Sequence, residues 1–227
     1  MKPHIVPRVV LKQFKVAACK EAPVVVLNKK DMTYRNRGVD HNTFTAASNY
    51  YGNGKQGTLE RQLANMDEAS MNRVIQSIRS GVNCNWQKKD LHFLLWNNTT
   101  RNPLFREHPK VGKVPGCTPE EFHIAAMDSI PDEYISDYEI VALYFRESVN
   151  HLILPDFSIK YFVLAPDVIV MRSNPDDVDK IRFNAQENKD KLVEYINAES
   201  MKSAANWLVS SSEKEFENYG ARKYPEP

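Results

Sequence analysis

The run TLERQLANMDEASMNRVIQSIRSG, residues 58–81, constrains the fold of this chain more than any other stretch. Leu59, Leu63, Met66, Ser70, Val74 and Ile78 recur at three- and four-residue steps, the spacing of one helical stripe. Thr58 stands where an N-cap belongs, Glu60 lies in the first turn, and Gly81 offers a stop. Two acids, Glu60 and Asp67, are seven residues apart. Two helical turns return to nearly the same face, so both carboxylates sit at the margin of the apolar stripe. An acid there must be paired, hydrogen-bonded or metal-bound, because burying it alone costs on the order of several kcal/mol.

Strand-like runs flank this helix on both sides. APVVVLN, residues 22–28, is a short β-branched run, and TYRNRGV after the turn KKDM reads as its hairpin partner. From Tyr138 the segments YEIVALYF, HLILPD, YFVLAP and DVIVMRS read as successive strands with polar turns between them. Pro7 sits where a first helix starts, with Val10, Leu11 and Phe14 on one side. HNTFTAASNYYGNGKQG reads as a loop with one helical turn. A helix is expected over about 87–101, with Leu91, Leu94, Leu95 and Asn98 at helical spacing and Asn102-Pro103 as its stop. Thr118, Pro119 and Glu121 open another. SNPDDVDKIRF reads as a loop or a short helix start. A last helix, about 187–211, is expected to turn Leu192, Tyr195, Ile196, Met201, Ala204, Ala205 and Leu208 inward. The class that follows is α+β: a central long helix and a C-terminal helix packed with a mainly antiparallel sheet. Residues 1–212 form the expected single domain, and the polar stretch 213–227 a loosely held tail.

Composition excludes several functional classes. Lys and Arg number 30 against 29 Asp and Glu, so no global field draws the chain to nucleic acid or to a membrane. No apolar run approaches the roughly 18 residues of a membrane span. The start MKPHIVPR does not read as a secretory signal. Cys19, Cys84 and Cys117 are odd in number, far apart and without a CxxC, which points to a reducing, cytoplasmic setting. There is no Walker loop, GxGxxG, HExxH or GxSxG. Lys and Arg are scattered rather than gathered in a long basic surface, with TYRNR (Arg35, Arg37) as the local exception.

Four constellations carry possible chemistry. His4 precedes Arg8 and Lys12, two cations one helical turn apart, which read either as a solvated helix face or as a phosphate subsite. Glu60 and Asp67 read either as salt-bridge partners of Arg61 or Arg73, or as a carboxylate pair for a hard divalent cation. Arg101 ends a helix, where a cation suits the dipole and its planar fork suits phosphate. Asp156, in LPDFSI, is a strand-end acid that serves either a turn or a site. Tyr50 and Tyr51 stack on a ring or pack in the core. His92, His123 and His151 read as structural.

The chain resembles a widespread bacterial and phage family of unknown function whose members open with His-x-x-Pro-x-x-x-Leu-x-x-Phe, here His4, Pro7, Leu11 and Phe14. The likeness continues through the aromatic element Phe44 to Tyr51, the acids Glu60 and Asp67, the helix end with Phe93, Arg101 and Pro103, and a late helix with Asn197. Two positions depart from that pattern. Asp67 stands where the family has Glu, and Leu154-Pro155-Asp156-Phe157 replaces Ser-Asp-x-Pro. The resemblance brings no activity, but it implies that His4, Glu60, Asp67, Arg101 and Asp156 converge.

Two functions are therefore expected in competition. One is a metal-assisted phosphodiester or nucleotide hydrolase, with Glu60, Asp67 and Asp156 holding Mg²⁺ or Mn²⁺. In it Arg101 binds phosphate with Arg8, Lys12 and Tyr51 nearby, and His4 serves as acid or base. The other is a non-catalytic module that binds a nucleotide-like ligand or a protein partner, for example in phage–host conflict.

Overall fold

The computed structural model describes residues 4–45, 71–81, 88–100, 136–158 and 160–225, with Phe105, Glu121 and Ala125. Among these the fold is α+β, with one five-stranded and one three-stranded sheet. The first helix, α1 (Arg8–Gln13), starts where expected: Pro7 holds φ at −55°, and its carbonyl accepts from Val10 and Leu11 N at 3.0 and 3.2 Å. Val9, Val10, Leu11 and Phe14 are buried.

β1 (Val24–Asn28) and β2 (Thr33–Arg37) form the expected antiparallel hairpin. Its turn is closed by side chains. Asp31 Oδ1 accepts from Thr33 N (3.0 Å) and Oγ1 (2.7 Å), while Asn28 Oδ1 accepts from Lys30 N (3.0 Å). Met32 takes φ of 53°, in the left-handed region. Of the long helix expected over 58–81, residues 71–80 are helical, here α2, with Met71, Val74 and Ile75 buried; the part expected over 58–70 lies outside the described residues. α3 (Lys88–Thr100) follows, burying His92 and Leu95. The helix expected after Thr118 lies outside the described residues, apart from Glu121 and Ala125.

The second strand block is as expected. β3 (Glu139–Tyr144), β5 (Tyr161–Ala165) and β6 (Val168–Ser173) make the antiparallel sheet β3-β6-β5, and β4 (Leu154–Pro155) joins the larger sheet. The segment expected as a loop or short helix start becomes one 3₁₀ turn, Pro175–Asp177, and a full helix, α4 (Val178–Glu187). α5 (Lys189–Ser203) then packs Val193 and Ile196 into the core.

Two sequence expectations are corrected at the C-terminal end. The last helix stops at Ser203 rather than running to 211, and Tyr195 is 64% exposed rather than inward. Trp207–Ser210 is instead a strand, β7, paired antiparallel with both β1 and β4 and buried at all four positions. A strand covered on both faces reads as a continuous apolar run, which periodicity alone does not separate from buried helix. The stretch after 212 is also no loose tail. Ser212 accepts from Lys214 N to cap α6 (Glu213–Glu217), and Phe216 is fully buried. Tyr34 donates to Glu217 at 2.7 Å; that bond, then burial, pushes the phenol up to about 12. β8 (Arg222–Lys223) then pairs parallel to β2, giving the order β4-β7-β1-β2-β8.

The five-stranded sheet is covered on both faces. Val24, Val26, Leu154, Trp207 and Val209 join the main core with α1, α2, α5 and the smaller sheet. Val25, Leu27, Tyr34 and Leu208 face a second cluster with Ile153, Phe216 and Ala221.

Candidate functional site

The structure separates the expected site residues by what their atoms already do. His4 is buried and forms an isolated antiparallel bridge with Thr45, beside Ile5 N, which donates to Phe44 O at 2.9 Å. Arg8 grips Asp40 with both ends of its fork: Nη2 donates to Oδ2 at 2.8 Å, and Nε lies 2.7 Å from Oδ1. Lys12 is exposed on the same six-residue helix. Asp156 is buried, and its carboxylate accepts from Ala205 N and Asn206 N at 2.8 Å and from Trp207 N at 3.3 Å. Burial pushes this carboxyl above the ordinary aspartate range, against the downward pull of the three amides. Tyr51, Glu60, Asp67 and Arg101 lie outside the described residues. Among the described residues no three His, Cys, Asp or Glu side chains gather around a point that a metal ion could occupy.

A different feature is built around Asp156. By directing the amides of residues 205–207, it fixes the loop that leads α5 into β7 and delivers Asn206 and Trp207 to the edge of a cleft. The cleft is open, holds about 400 Å³, and lies on the main-core face of the larger sheet. Pairing explains its floor. Val26 stands opposite Arg35 and Val209, Val24 opposite Arg37, and Asn28 opposite Thr33 and Trp207. Directly opposed residues share a face, so Arg35 and Arg37 rise from the same side as Val26, Asn28 and Trp207. Ile5, Thr43 and Thr45 form the far wall, held by Phe44, whose ring meets Trp207 edge to face at 5.1 Å. The His4–Thr45 bridge thus anchors one side of the cleft.

The cleft is positive. Arg35 and Arg37 are half-buried, and among the described residues neither has a carboxylate within ion-pair distance. The Arg35 guanidinium lies 3.9 Å above the ring of Tyr224, which fixes its plane. His41 registers the same field. Its Nδ1 accepts from Thr43 N at 3.2 Å, and its pKa is held below the ordinary value by burial first, then by the charges of Arg37 and Arg35. A half-buried guanidinium pair without partner carboxylates can take a phosphate or carboxylate in bidentate geometry.

In the sequence Arg35 and Arg37 stand out only as a local basic exception. The signal for them is present: Thr33, Arg35 and Arg37 alternate on a strand, which places both cations on one face. Asn206 and Tyr224 carry no such signal, because residues far apart in the chain bring them there. Comparison with family models, with curated proteins and with solved structures finds no match.

Proposed function

We propose that this protein binds a phosphate-bearing ligand, a nucleotide or a phosphodiester, in the cleft over β1, β2 and β7, and does not turn it over. The observation that supports this most is the pair Arg35 and Arg37, set two residues apart on one strand and facing an open cleft without an ion-pair partner among the described residues. With a chain charge of +1, attraction for anions comes from this local concentration rather than from the whole molecule. The hydrolase alternative draws on Glu60, Asp67 and Asp156. The three amides bonded to Asp156 favour a structural over a metal-binding carboxylate at that position.

The test is titration calorimetry with a panel of nucleotides and inorganic phosphate, in EDTA and again in Mn²⁺. A hydrogen bond to a charged group is worth about 1.5–3 kcal/mol, so Arg37→Ala or Arg35→Ala should each weaken binding by about ten- to a hundredfold. Lys12→Ala, on the exposed face of α1, should leave binding unchanged. Equal affinity in wild type and both arginine variants overturns the cleft as the binding site. Conversion products in the Mn²⁺ arm overturn the non-catalytic part and favour the hydrolase.

A further inference from the structure

Resting on that reading of the cleft, we infer that its ligand is an extended single-stranded nucleic acid, with Arg222 gripping the phosphate next to those held by Arg35 and Arg37. Residues 222–224 reach β2 from the far end of the chain. Thr33 pairs with Arg222 and Tyr34 with Lys223 in parallel register, and Tyr224 N continues the ladder to Tyr34 O at 2.8 Å. Alternation then puts Arg222 and Tyr224 on the cleft side of the sheet with Arg35. The Arg35–Tyr224 stacking at 3.9 Å agrees with that placement. Lys223 points to the opposite face, where it meets Glu213 at 3.1 Å and is neutralised. The side chain of Arg222 is exposed and has no ion pair among the described residues.

Three arginines therefore share this face of the sheet, Arg37 and Arg35 along β2 inside the cleft and Arg222 one diagonal step across the β2–β8 pair, beyond the cleft lining. Neighbours among the three are separated by roughly 7 Å at the backbone, two residues along a strand or one diagonal across a pair. That step suits successive phosphates of an unstacked strand. A single nucleotide would engage the first two cations and leave the third without a role. The cleft, at about 400 Å³, is of a size to take one nucleotide of a strand. Tyr224 is 40% exposed beyond its contact with Arg35 and offers a ring edge and face on which a neighbouring base can stack. The grouping is assembled by the β2–β8 pairing and has no counterpart in the order of residues along the chain.

The experiment measures fluorescence anisotropy of a labelled oligothymidylate of about ten nucleotides, a length in the range such grooves cover. Thymidine monophosphate and the matching duplex serve as competitors. The oligonucleotide should bind at least tenfold more tightly than the mononucleotide. Three phosphate contacts predict a slope of log affinity against log salt near −2, at about −0.7 per contact on single strands. Arg222→Ala should reduce that slope by about 0.7, weaken the oligonucleotide severalfold, and leave mononucleotide affinity and Tm unchanged. Equal affinity for oligonucleotide and mononucleotide overturns the inference, as does a duplex that competes as well as the single strand. So does an Arg222→Ala variant that matches wild type on the oligonucleotide. All three results leave the phosphate-binding reading standing if Arg37→Ala still weakens binding by about tenfold or more. Loss of any Arg37 effect overturns both together.

Discussion

At the scale of single residues, Asp156 shows how one carboxylate can shape a cleft whose lining it does not join. Both its oxygens face amides of residues 205–207, and Asn206 and Trp207 owe their place in the cleft to those bonds. Asp156→Asn replaces one acceptor by an NH₂ group that meets a backbone donor, so it should cost on the order of 3 kcal/mol. Urea unfolding in EDTA measures this directly, because a carboxylate that served only a metal would leave the metal-free protein as stable as before. As a strand-end acid Asp156 was legible as important. Whether it serves a turn or a metal depends on partners 49 to 51 residues later in the chain, which no local pattern names. His4 was legible in the same partial way. Its motif starts a helix and a bridge to Thr45 that borders the cleft, while the cations expected beside it divide, Arg8 to Asp40 and Lys12 to solvent.

At the scale of elements, β7 is the most informative. Its four residues are buried because strands lie on both sides of it and apolar clusters on both faces. Continued as helix, the same residues would carry Leu208 inward and leave Val209 near the helix margin. Val209 is instead fully buried opposite Val26 and Leu154. Val209→Ala should therefore cost about 2 kcal/mol, a loss of several degrees in Tm by calorimetry. A neutral result would favour the helical reading. Elements with a sharp local boundary, such as α1 behind Pro7 and the hairpin closed by Asp31, were read correctly from sequence. The α5–β7 boundary was not, since the Ala204-Ala205-Asn206 step has no strong stop residue and is held by a remote carboxylate.

At the scale of the whole molecule, the segment after residue 212 closes the second core cluster. Phe216 packs with Tyr34, 6.3 Å between ring centroids, in the cluster that holds Leu27 and Leu208. Removing a fully buried phenylalanine costs about 3–5 kcal/mol against a total stability of roughly 5–15 kcal/mol. Phe216→Ala should thus lower Tm markedly in a thermal melt, whereas a loose tail would show no shift. One phenylalanine in a largely polar run gives no sign of this, for its partners lie on strands much earlier in the chain. The same distance bears on how the protein is made. β1 has β2 on one side from the outset, but its other edge waits for Trp207–Ser210, which leaves the ribosome only after almost all of the intervening chain. Until then Val24–Leu27 has one edge without its native partner, so closure of this sheet is a late, long-range event, the kind of pairing that slows folding and exposes a strand edge to other chains.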